Sequence, residues 1–61
     1  MTYSIKELRA RHNLSQEELA EKVGVLRQMI TRYECHLSKP TVDVAIKIAK
    51  VLGVTVEEIK W

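Results

Sequence analysis

Three tetrads of the form Ser/Thr-x-x-Glu stand at breaks in the helical periodicity of this chain: Ser4-Ile5-Lys6-Glu7, Ser15-Gln16-Glu17-Glu18 and Thr55-Val56-Glu57-Glu58. In such a tetrad the hydroxyl accepts a bond from the amide three residues on, and the carboxylate reaches back to the first amide. Each one predicts a helix start. Breakers are scarce, with two Gly and one Pro in 61 residues. Gly24 and Gly53 fall where helices should stop, because Gly adopts the left-handed end position cheaply. Pro40-Thr41 opens a further helix with Thr41 as its cap. The pattern predicts five short helices: from Ser4 to near Asn13, from Ser15 to Gly24, from about Arg27 to Cys35, from Thr41 to Gly53, and a truncated one from Thr55 to Trp61. The segment 36–40 reads as a loop. The expected fold is a compact all-α, five-helix domain covering residues 1–61. Its core is expected from Leu8, Leu14, Leu19, Val23, Ile30, Val44, Ile48 and Leu52, with Ile5 beside Leu8 on the first helix.

The totals narrow the class. A chain this short buries only about 60% of its unfolded surface. Its single cysteine cannot close an internal disulfide and fits a reducing compartment. No apolar run approaches the roughly 20 residues that span a bilayer, and no basic-then-apolar leader opens the chain. A cytoplasmic domain without membrane, cofactor or small-molecule ligand is expected. Ten Lys/Arg against eight Asp/Glu give a charge of +2, which alone says little. The arrangement says more. Lys6, Arg9 and Arg11 cluster early, and Arg27, Arg32 and Lys39 follow mid-chain. The acids gather at Glu17, Glu18 and Glu21 and again at Glu57 and Glu58. Such segregation permits one positive face on a nearly neutral molecule.

The second and third helices are joined by a Gly-centred turn, Val23 to Leu26. That is the form of a helix-turn-helix, whose second helix can enter the DNA major groove. Leu14-Ser15-Gln16-Glu17-Glu18-Leu19-Ala20, Val23-Gly24-Val25, Arg27-Gln28 and Ile30 strongly resemble the phage repressor and Cro-type helix-turn-helix domains. So do Arg32-Tyr33-Glu34, Lys39-Pro40-Thr41 and Ala45-x-Lys47-Ile48-Ala49-x-x-Leu52-Gly53-Val54. The resemblance runs from about Ile5 to Ile59. It implies a transcriptional repressor-like, non-catalytic domain that binds double-stranded DNA, usually as a homodimer on a palindromic site. It implies that Arg27, Gln28, Thr31 and Arg32 read bases, with Leu26 and Met29 shaping the same surface. Gln16 would hold a phosphate or brace Gln28, Arg9 would reach phosphate, and Cys35, His36, Ser38 and Lys39 would lie along the backbone. The chemistry agrees: Arg can bond guanine O6 and N7 together, and Gln can do the same with adenine N6 and N7.

Taken singly, Arg27 and Arg32 read as ordinary solvated charges, and Lys6, Arg9 and Arg11 fit a solvated surface as well as phosphate. Cys35, His36 and the distant His12 do not make the four-ligand set of a structural zinc site. No acid is placed to orient His36 as the base of a nucleophilic Cys35. Trp61 fits either tail packing or a dimer seam.

Four residues depart from the resemblance. Ser or Thr is usual at 26 and 29, where this chain has Leu and Met. Asn-Gly or a basic residue with Gly is usual at 35–36, where it has Cys-His. A His at 36 requires a positive φ, at a cost for a residue with a Cβ. Three accounts fit these departures. Leu26 and Met29 can pack on thymine methyls and alter base preference. The surface can be a redesign on a consensus-like scaffold. Or DNA binding is lost and the stripe Leu26, Met29, Ile30 and Tyr33, at i, i+3, i+4 and i+7, docks a protein.

Overall fold

A computed structural model of the chain describes residues 1–61. It contains four α-helices: α1 (Ile5–Arg11), α2 (Gln16–Val23), α3 (Arg27–Glu34) and α4 (Val42–Leu52). Their starts follow the capping chemistry. Ser15 and Glu18 form the full reciprocal pair: the Glu18 amide donates to Ser15 Oγ at 3.0 Å and the Ser15 amide donates to Glu18 Oε1 at 2.9 Å. Those bonds, the backbone one first, hold the Glu18 carboxyl below the usual carboxylate range. At Ser4 only half the box forms. The Glu7 amide donates to Ser4 Oγ at 3.0 Å, while the Glu7 carboxylate pairs with Arg11 one turn on, at 3.3 Å. Thr41 caps α4 by accepting from the Val44 amide. Gly24 (φ 85°) and Gly53 (φ 72°) end α2 and α4 in the left-handed conformation.

The expected fifth helix is not there. Val56–Glu58 makes a single 3-10 turn, and Ile59 is already extended, with φ −102° and ψ 134°. The tail's hydrogen bonds go elsewhere. The Tyr3 amide donates to the Glu58 carbonyl at 2.7 Å, and the Lys60 amide donates to the Tyr3 carbonyl at 2.8 Å. A parallel bridge, Tyr3 to Ile59, thus ties the two ends together. Helix continuation would withdraw these groups from that bridge and lift Ile59 out of the core, where it is buried. The Glu58 carboxylate still accepts from the Thr55 amide and hydroxyl, so the start signal works while the helix does not propagate.

The core gathers Ile5, Leu8, Leu19, Val23, Ile30, Ile48 and Leu52, with Tyr33, Ile59 and the small Ala20, Ala45 and Ala49. Leu14 and Val44 are half-buried at its edge rather than inside. Trp61 packs on the core, and its indole N–H donates to the Val56 carbonyl at 3.0 Å. His12 joins the ends of α1 and α4 by donating from Nε2 to the Leu52 carbonyl at 2.8 Å. No helix is long and apolar enough to cross a membrane.

Candidate nucleic-acid interface

The seat of α3 is built by the turn before it. The Gly24 and Val25 amides both donate to the Ala20 carbonyl, at 2.8 and 3.0 Å. That folds the chain back so that α3 packs on α2 and α1. Ile30 and Tyr33 face inward, at 0% and 5% exposure. Arg27, Gln28, Thr31 and Arg32 therefore face outward, and all are exposed. They line one concave patch on their own.

Leu26 occupies the N-cap of α3 with its side chain 71% exposed and makes no capping bond. The leading amides of α3 lack a side-chain acceptor, so the positive end of the helix dipole faces outward without a protein anion. Met29 does not join the patch. It is half-buried against the core. With Ile30 and Tyr33 buried as well, the apolar stripe considered for protein docking shrinks to Leu26 alone.

Behind the patch runs a chain of polar contacts. Arg9 meets Glu34 through two bonds, Nε to Oε2 at 2.6 Å and Nη2 to Oε1 at 3.2 Å, with the two side chains 14% and 9% exposed. Its third nitrogen, Nη1, donates to the Leu14 carbonyl at 2.9 Å. Glu34 Oε1 also accepts from Gln16 Nε2 at 3.1 Å, and Thr31 Oγ1 donates to Gln16 Oε1 at 3.0 Å. Arg9, expected at phosphate, is thus turned into the molecule: every nitrogen of its guanidinium has an internal partner. Nothing local in the sequence marks Glu34 for this role, because its partners lie 25 and 18 residues away.

The backbone-tracking candidates are placed less uniformly. Lys39 is exposed. Ser38 Oγ accepts from Arg32 Nε at 3.0 Å, which links the end of the patch to the 36–40 loop. Cys35 is exposed at the C-cap of α3. His36 takes the positive φ the sequence demands, 59°, and its Nδ1 bonds the Trp61 main-chain oxygen at 2.7 Å. No three His, Cys, Asp or Glu side chains gather where a metal ion could sit.

A family model described as Helix-turn-helix matches residues 5–59. The chain belongs to this family. An HTH-type transcriptional regulator of Methanocaldococcus jannaschii is 48% identical over 59 residues, covering 97% of this chain and 89% of that protein. The HTH-type regulator YgzD of Bacillus subtilis is 41% identical over 61 residues, covering 100% of this chain and 92% of its own length. Among solved structures, the biofilm master regulator SinR in complex with DNA is 35% identical with a TM-score of 0.79. That match covers 87% of this chain and 86% of SinR's.

Proposed function

We propose that this helix-turn-helix chain is a sequence-specific double-stranded DNA-binding transcriptional regulator of repressor type, and that it works without catalysis. The carrying observation is the single exposed patch of Arg27, Gln28, Thr31 and Arg32 on α3, set up by the Gly24 turn. In this reading α3 lies in the major groove. Arg27 and Arg32 bond guanine O6 and N7, Gln28 bonds adenine N6 and N7, and Leu26 packs on a thymine methyl. Ser38 and Lys39 lie at phosphates and set the register without reading sequence, and Gln16 joins them only through the amide hydrogen that Glu34 leaves free. Cys35 and His36 border that strand. Met29 and Arg9 act from behind, by packing and by pairing. Two copies bind a palindromic site, one α3 per half-site, as expected when half-sites lie a helical turn apart. Occupying that site excludes polymerase. The structural likeness to a DNA-bound regulator supports the placement of α3.

The test is selection from a randomised duplex library at two salt concentrations. The expected outcome is an enriched sequence with two-fold symmetry and binding that weakens with salt. Arg27→Ala should then lose discrimination at one or two base positions, by about 1–3 kcal/mol. Binding without enrichment and without salt dependence would sink the reading.

A further inference from the structure

The directions of the hydrogen bonds behind the patch follow from chemistry. Arg9 only donates, and the Glu34 carboxylate only accepts. The end of Gln16 that lies 3.1 Å from Glu34 Oε1 must therefore be its NH2. The other end, Oε1, faces Thr31 Oγ1 at 3.0 Å and can only accept. The second inward neighbour of that hydroxyl is the Arg27 carbonyl at 3.3 Å, which also only accepts. Thr31 has one hydroxyl hydrogen, and both inward partners compete for it. Toward solvent, Thr31 offers lone pairs alone.

We propose that Thr31 is a specificity-determining hydrogen-bond acceptor, fixed in that role by Glu34 acting through Gln16, and that it selects a base edge carrying an exocyclic amino group. This rests on the DNA-binding reading above. In the major groove only cytosine N4 and adenine N6 present such a donor, whereas guanine O6 and N7 and thymine O4 accept. Phosphate oxygens also only accept. Thr31 is thus matched to an amino group on a base and mismatched to the backbone. Gln16 and Glu34 are positioning residues: they set where the hydroxyl hydrogen points.

The experiment couples the hydroxyl to one atom of the DNA. Selection with the wild type and with Thr31→Val, an exposed and near-isosteric change, identifies the base pair whose preference depends on the hydroxyl. In duplexes of the selected site, purine then replaces adenine, or 2-pyrimidinone replaces cytosine, deleting the amino group at that pair. The wild type should lose about fivefold in affinity, the worth of one net hydrogen bond. Thr31→Val should lose nothing further, and Thr31→Ser should behave as the wild type. Gln16→Met frees the hydroxyl from one inward partner and leaves the Arg9–Glu34 pair intact. It should reduce the coupling from about fivefold to about twofold, whatever it does to overall affinity. The proposal is overturned if Thr31→Val changes no base preference. It is overturned equally if the coupling runs to guanine O6 or thymine O4, deleted by 2-aminopurine or 5-methyl-2-pyrimidinone. Undiminished coupling in Gln16→Met overturns the positioning role. A wild type that enriches no sequence overturns the DNA-binding reading itself, a distinct outcome.

Discussion

Leu26 has the backbone of a good N-cap, φ −76° and ψ 147°, and the wrong side chain for one. Ser15 and Thr41 hold nearly the same dihedrals and do accept a bond from the first turn. The cap geometry at 26 is thus imposed by the turn and the packing of α3, without help from the residue. Leu26→Ser should stabilise the fold by about 1 kcal/mol, since a hydroxyl there can accept from the Gln28 amide or share the Met29 amide, which now donates only to the Leu26 carbonyl at 2.9 Å. A rise in the urea midpoint with unchanged slope is the expected reading, and an unchanged midpoint would show those amides already satisfied. The same variant removes the exposed apolar group beside the patch and, on the DNA-binding reading, should weaken preference for a thymine-bearing pair at that position. His36 shows a similar tension. Its left-handed φ was legible because the turn after α3 demands it. Its bond to the Trp61 main chain was not legible, since nothing local links residues 25 apart.

At the level of elements, capping boxes decided where helices begin and did not decide how far they run. All three predicted starts exist, and the third yields only the 3-10 turn Val56–Glu58. A nucleated turn propagates when each added residue gains a bond. Here Tyr3 offers the tail better-placed partners at Glu58 and Lys60. The boxes also carry a pH dependence. The Glu18 and Glu58 carboxyls are both held below their ordinary range, each by its bond to the backbone of the capping residue first. Between the folded and unfolded values the unfolded chain binds more protons, so stability rises with pH there. The contribution is present above the ordinary carboxylate range and is lost as pH falls through the depressed folded values. Melting temperature followed on acidification should drop through this window. In Glu18→Gln/Glu58→Gln the drop should be shallower, and an identical profile would remove both boxes as its source.

Across the whole molecule, Arg9 and Glu34 join α1 to the end of α3 through two bonds in a mostly buried setting. Removing one partner leaves a poorly solvated charge, so Arg9→Ala should cost about 3 kcal/mol. Replacing both, as Arg9→Met/Glu34→Leu, should recover most of that loss, because apolar packing there desolvates no ion. Urea unfolding of the three proteins checks this, and a double variant no more stable than Arg9→Ala would show that the pair does more than neutralise itself. The double variant also deprives Gln16 of the acceptor that orients it, so it should disturb base preference even where stability returns. Local pattern along the chain sets the helix starts, the glycine stops, the inward set Leu8, Leu19, Val23, Ile30, Ile48 and Leu52, and the outward set Arg27, Gln28, Thr31 and Arg32 of α3. Capping and helical periodicity are local, acting over three or four neighbours, and a single chain displays them openly. Tertiary structure alone decided that Arg9 turns inward, that Met29 is half-buried, that the tail bridges to Tyr3, and that Glu34 orients Gln16 and Thr31. Those outcomes depend on hydrogen bonds between groups 15 to 57 residues apart, and for Met29 on packing against the core, and no local pattern records which groups will meet.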